Sequence, residues 1–129
     1  MTDIDLIYIV EDDSIASFVI KKIIGQKRSI GGCLVLQNGK LALDELRVDQ
    51  NRPDLILLDI NMPIMDGWEF LDACLQENRD TIPVFLLSSS INPADKERAM
   101  NYSQVCGFLS KPFTSEKLED VLSLVSKIK

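Results

Sequence analysis

Five continuous apolar runs divide the chain: Leu6–Val10, Cys33–Leu36, Leu55–Leu58, Pro83–Leu87 and Val105–Leu109. Each is strand-sized and unbroken by alternating polar residues, the pattern of a strand covered on both faces of a sheet. The segments between them have helical spacing. Asp13 or Ser14 caps a first helix whose Ile15, Phe18, Val19 and Ile23 repeat at i, i+3, i+4 and i+8, and Gly25, Lys27 and Arg28 mark its end. Asn38-Gly39 opens a second helix with Ala42, Leu43 and Leu46 on one side. Past Asp66-Gly67, the residues Trp68, Phe70, Leu71, Cys74 and Leu75 outline a third. Asn92-Pro93, a cap residue followed by proline at the first helical position, starts a fourth helix that runs to about Tyr102. It is mostly polar, so it is expected to be marginal and easily shifted. Thr114 caps a fifth helix with the stripe Leu118, Val121, Leu122, Val125 and Ile128.

Strands alternating with helices, without internal repeats, predict an α/β fold: a five-stranded, doubly wound parallel sheet with five helices. In such sheets the carboxyl ends of the strands share one edge, and ligands bind where the strand order reverses. Four of the runs end on polar residues: Glu11 and Asp12, Asp59, Ser88, and Lys111. These side chains are predicted to meet in one crevice.

The 129 residues form a single domain, residues 1–129, large enough for one core. A hydrophobic content of 46% with 26% charged residues is that of a folded globular protein. No apolar run is long enough to cross a membrane, and Met1–Asp5 carries acids where a secretion signal needs basic residues. A cytoplasmic location without membrane association is therefore expected. With 20 acidic and 14 basic residues the net charge is -6, and no basic run offsets it, which disfavours direct nucleic-acid binding. The odd, scattered cysteines Cys33, Cys74 and Cys106 are predicted to be small buried hydrophobes rather than disulfide partners. The chain has no histidine, which excludes Ser-His-Asp catalysis and leaves any phosphohistidine to a partner.

A bare aspartate at the end of a buried strand is costly unless something pairs it. Three carboxylates gathered at Glu11, Asp12 and Asp59 would repel one another and raise each other's pKa, so the site calls for a divalent cation. Oxygen ligands alone point to Mg²⁺. Lys111 adds a mobile positive charge for a phosphoryl oxygen, and Ser88 adds a hydroxyl donor. Carboxylate, Mg²⁺ and lysine together describe a phosphorylatable aspartate, with Asp59 as the nucleophile.

The set Val10-Glu-Asp-Asp13, Leu57-Leu-Asp-Ile-Asn-Met-Pro-Ile-Met-Asp-Gly67, Val84-Phe-Leu-Leu-Ser88 and Lys111-Pro-Phe113 closely resembles the receiver domain of bacterial two-component response regulators. The resemblance covers essentially the whole chain and implies the flavodoxin-like strand order 2-1-3-4-5. Because no residues follow the fifth helix, a stand-alone regulator of the chemotaxis type is expected.

The resemblance also implies roles. Asp59 would be the phosphoacceptor; Asp12, Asp59 and the backbone carbonyl of Asn61 would bind Mg²⁺, with Glu11 acting through water. Many relatives have Asp at the position of Glu11. Ser88 would be the switch hydroxyl, Lys111 would contact the phosphoryl group, and the Lys111–Pro112 bond would be cis. Phe108 would be the aromatic that turns inward on activation, although chemotaxis relatives have Tyr there. The phosphoryl donor would be a sensor histidine kinase or a phosphotransfer protein. The output would be a downstream protein contacted by the fourth helix, fifth strand and fifth helix. Such a chain assists only its own phosphorylation and dephosphorylation, and is not otherwise an enzyme.

Three other readings are weighed against this one. A haloacid-type phosphohydrolase also uses an aspartyl phosphate, but has a second Asp where this chain has Asn61. A flavodoxin-like FMN binder would place phosphate where Glu11-Asp12-Asp13 would repel it. A degenerate receiver would signal as a binding module without phosphorylation, yet here the required side chains are present.

Overall fold

The computed structural model describes residues 3–48, 50–90 and 92–128. Its elements follow the chain as β1 (Ile7–Val10), α1 (Ser14–Gly25), β2 (Cys33–Leu36), α2 (Gly39–Val48), β3 (Leu55–Asp59), α3 (Gly67–Gln76), β4 (Val84–Ser88), α4 (Pro93–Ala99), β5 (Val105–Ser110) and α5 (Ser115–Ile128). The five strands form one sheet in the order β2-β1-β3-β4-β5. Every neighbouring pair is parallel. The order reverses at β1, which lies between β2 and β3, so the crevice expected of this fold opens beyond Val10 and Leu58, paired residues of β1 and β3.

Alternate residues of the strands feed two cores, one on each face. Tyr8, Val10, Ile56, Leu58 and Leu86 pack with Leu43, Leu46, Trp68, Phe70 and Leu71 of α2 and α3. Ile7, Ile9, Leu55, Leu57 and Leu87 pack with Ile20 and Ile24 of α1 and Leu118, Val121 and Val125 of α5. β1, β3 and β4 are buried throughout, which explains their unbroken apolar runs. Each fully buried Leu or Ile contributes about 1.5–3 kcal/mol to folding.

Helix starts follow local chemistry. Asp13 caps α1 by accepting hydrogen bonds from the Ile15 and Ala16 amides. Asp66 and Glu69 form a reciprocal capping box on α3, and Asn92 caps α4 with Pro93 just inside. Thr114 Oγ1 accepts from the Lys117 amide at the start of α5.

Several expectations are corrected. The core face of α1 is Ser17, Ile20 and Ile24, whereas Ile15, Phe18 and Val19 are exposed, Phe18 by 60%. The helix is apolar nearly all round, so spacing alone fixed its type but not its phase. Leu75 is likewise exposed on α3. α4 ends at Ala99, and turns carry the chain through Tyr102. Only Cys74 of the three cysteines is fully buried; Cys33 and Cys106 are half-buried. Leu118, Val121 and Val125 of the α5 stripe are buried and Leu122 is half-buried. The Ile128 side chain lies outside the described residues, as do Met1 and Thr2. No helix among the described residues is long and apolar enough to cross a membrane.

Candidate functional site

The pairing of β1 with β3 brings Glu11 and Asp59, the next residues along the two strands, to one edge. Both are buried, at 1% and 4% exposure, whereas Asp12 faces solvent. Each of Glu11, Asp12 and Asp59 offers a carboxylate oxygen, and these oxygens lie within 4.8 Å of one another. The Asp13 side chain is engaged in its cap, accepting from the Ile15 and Ala16 amides.

Lys111 enters from the loop after β5. Its amide donates to the Ser88 carbonyl at 2.8 Å, and the following Lys111–Pro112 peptide is cis. The ammonium donates to Glu11 Oε1 at 3.1 Å and lies 3.0 Å from Glu11 Oε2 and 3.3 Å from Asp59 Oδ1. Burial pushes the Glu11 carboxyl up to about 7 and the Asp59 charge adds to the rise, while the hydrogen bond and charge of Lys111 oppose it. Asp59 is also raised, because burial outweighs Lys111 and the hydrogen bonds it receives. Burial works to lower Lys111, but Glu11 and then Asp59 hold it above its ordinary value. One ammonium is therefore too little charge for two buried carboxylates and a third beside them.

The cluster fits a hard divalent cation. All donors are oxygens, and Glu11 Oε2 is buried without a hydrogen-bond partner despite its proximity to Lys111. Glu11, Asp12 and Asp59 could hold Mg²⁺. Asn61 follows closely, its amide donating to Asp59 Oδ1 at 3.4 Å, so its main chain lies beside the acceptor.

Backbone contacts fix the β3–α3 loop against this cluster. The Gly67 amide donates to the Ile60 carbonyl at 2.9 Å, and a Cβ on Gly67 would fall 2.8 Å from the Asp59 carbonyl oxygen. On the far side the Gly39 amide donates to Met65 O at 3.1 Å, and a Cβ there would lie 2.8 Å from the same oxygen. Between them Met65 N donates to Pro63 O at 2.8 Å across Ile64, whose φ is 71°. This is a γ-turn of the strained, positive-φ kind, on a β-branched residue that is 76% exposed.

Ser88 is buried at the end of β4, but its hydroxyl donates to Ser90 O at 2.9 Å and accepts from Ser90 N at 3.1 Å. In this conformation its hydroxyl bonds are made within its own loop. Phe108 pairs with Leu86 across β4 and β5 and is half-buried against the α2–α3 core, so the structure does not bring it to the carboxylates.

The family described as response regulator receiver domain matches residues 7–123. The chain belongs to this receiver family. It is 32% identical over 119 residues to the probable methanogenesis regulatory protein FilR2 of Methanothrix harundinacea, covering 88% of this chain and 76% of FilR2. It is 36% identical over 115 residues to a protein-glutamate methylesterase/protein-glutamine glutaminase of Treponema pallidum, covering 85% of this chain but 27% of that protein. Among solved structures, a two-component response regulator from Cytophaga hutchinsonii superposes with a TM-score of 0.87 at 30% identity, covering 96% of this chain and 98% of that one. The chain thus shares the fold of that solved regulator, with its own strands in the order β2-β1-β3-β4-β5.

Sequence reasoning missed three parts of this receiver site: the hydroxyl pairing of Ser88 with Ser90, the γ-turn at Ile64, and the grip of Gly39 on Met65. Gly39 and Gly67 did stand out beside Asn38 and Asp66, but as helix entries. Their close approach to other backbone is a tertiary contact with no local signal.

Proposed function

We propose that Asp59 is the phosphoacceptor of a Mg²⁺-dependent signalling switch. The observation that carries this reading is the Asp59 carboxylate, buried at the end of β3 with the Lys111 ammonium at 3.3 Å and the Glu11 and Asp12 carboxylates within 4.8 Å. An Asp59 oxygen attacks the phosphorus of a partner's phosphohistidine. The P–N bond breaks, its electron pair returns to the imidazole, and a P–O bond forms on Asp59. Lys111 needs only a small movement to meet the incoming phosphoryl oxygens, because it already sits against the nucleophile. Glu11, Asp12, Asp59 and the Asn61 carbonyl would hold Mg²⁺, which would neutralise charge on the transferring group.

The donor is a sensor histidine kinase or a phosphotransfer protein. The exposed apolar residues Ile15 and Val19 of α1 border a cleft of about 380 Å³ shared with Leu87, Lys111 and Phe113, next to the site, which suits a docking partner. After transfer, Ser88 exchanges its bonds to Ser90 for the phosphoryl group, and Phe108 follows the β4–α4 loop. The altered face of α4, β5 and α5 then engages a protein target.

Mass spectrometry after incubation with phosphoramidate and Mg²⁺ tests the assignment. One added phosphoryl group on the wild type and none on Asp59→Asn is the expected result; an Asp59→Asn protein that still gains it overturns the reading.

A further inference from the structure

α4 has little to hold it in place. It spans seven residues, is polar over most of its surface, and among them Ala99 alone is buried. A helix this short has no stability of its own in water. Beyond Ala99, the side-chain contacts described for this segment reach α3. Trp68, in the first turn of α3 and 6% exposed, carries the Arg98 guanidinium over its ring at 4.6 Å from the centroid. Tyr102, just past α4, stacks on the same indole with ring centroids 5.9 Å apart and planes inclined by 27°. Its hydroxyl donates to Asp72 Oδ1 at 2.7 Å, and Asp72 lies one turn beyond Trp68 on the same face of α3. Two side chains of the α4 segment thus close on two positions of α3.

The α3 end of this arrangement is rooted in the phosphoacceptor loop. Trp68 follows Gly67, whose amide bonds the Ile60 carbonyl and whose place would bring a Cβ against the Asp59 carbonyl.

We propose that Trp68, Asp72, Arg98 and Tyr102 form a latch that holds α4 against α3 in the unphosphorylated protein, and that its strength sets how readily phosphorylation of Asp59 repositions α4. This rests on the phosphoacceptor reading above. A contact made only in the resting conformer lowers the affinity of the site for a phosphoryl group by the factor it contributes to that conformer. Weakening the latch therefore tightens binding of a phosphoryl mimic at a distance.

Beryllofluoride with Mg²⁺ is the probe, its binding followed by ¹⁹F NMR and the state of the latch by emission and acrylamide quenching of Trp68, the chain's single tryptophan. In the wild type, saturation is expected to make Trp68 more accessible to the quencher. Tyr102→Phe, which removes the hydroxyl bonded to Asp72, and Arg98→Gln, at an exposed position, are each expected to bind the mimic roughly 2–5-fold tighter, the factor a single hydrogen bond or an exposed cation–π contact commands. Bound fluoride signals with unchanged Trp68 quenching, or with wild-type affinity in both variants, overturn the latch while leaving the phosphoacceptor reading intact. Absence of a bound fluoride signal in the wild type overturns both.

Discussion

The Lys111 ammonium lies 3.3 Å from Asp59 Oδ1 while donating a hydrogen bond to Glu11, so a single cation bridges the two buried carboxylates. The bond from the Lys111 amide to the Ser88 carbonyl ties the loop after β5 to the end of β4 and helps set that position. Lys111→Ala removes a preorganised charge from the transferring group. It is expected to slow phosphorylation by phosphoramidate on the order of 10²-fold, measured as the rate of mass gain at fixed Mg²⁺.

The raised Glu11 carboxyl makes stability depend on pH in a defined direction. A carboxyl at 4.5 when unfolded and at about 7 when folded keeps its proton better in the native state. The native protein then binds more protons across that window, so stability is full below 4.5 and falls as pH rises through 7. Metal-free wild type is expected to lose about 1–3 kcal/mol between pH 4.5 and 7.5 relative to Glu11→Gln, the cost of ionising a poorly partnered buried group. Urea titrations of the two proteins across this range measure the difference. Adding Mg²⁺ should flatten the wild-type slope, since a bound cation offsets the charge that burial penalises.

Ile64 places a β-branched side chain in the left-handed region without burying it. That conformation costs roughly 1–2 kcal/mol for an L-residue other than glycine, asparagine or aspartate. Ile64→Asn is therefore expected to raise stability by about 1 kcal/mol in chemical denaturation, and an unchanged or lower midpoint would contradict a positive φ at this turn.

The phase of α1 can be read by a pair of truncations. Ile20→Ala opens a cavity against β1 and α5 and should cost about 2–4 kcal/mol. Phe18→Ala removes a larger side chain from an exposed face, where the Lys22 ammonium lies 5.6 Å from the ring, and should change stability by no more than about 0.5 kcal/mol. Thermal or urea unfolding of the two variants decides between the faces.

The central strands β1, β3 and β4 were legible because burial on both sides leaves a continuous apolar run, and Asp59 because such a run ends abruptly on a charge. Caps at Asp13, Asn92 and Thr114 were legible for the same local reason. α1 was readable as a helix but not in phase: Ile15, Phe18 and Val19 satisfy a helical period as well as Ile20 and Ile24 do, and a small polar Ser17 occupies the core face. The contacts that orient the site's surroundings, such as Ser88 on Ser90 or Arg98 and Tyr102 on Trp68, depend on loops and helices meeting in space. Residue type and spacing carry no record of them.

Gly39 and Gly67 grip the segment from Asn61 to Asp66 at its two ends by main chain alone, leaving no room there for even one methyl group. The shape of the loop is thus largely decoupled from the side chains it displays. Saturation mutagenesis of positions 39, 61, 63, 64 and 67 should yield sharp troughs at the two glycines and a permissive plateau over Asn61, Pro63 and Ile64. The chain can in this way vary the rim it shows to other molecules while the Asp59 carboxylate beneath stays where it is.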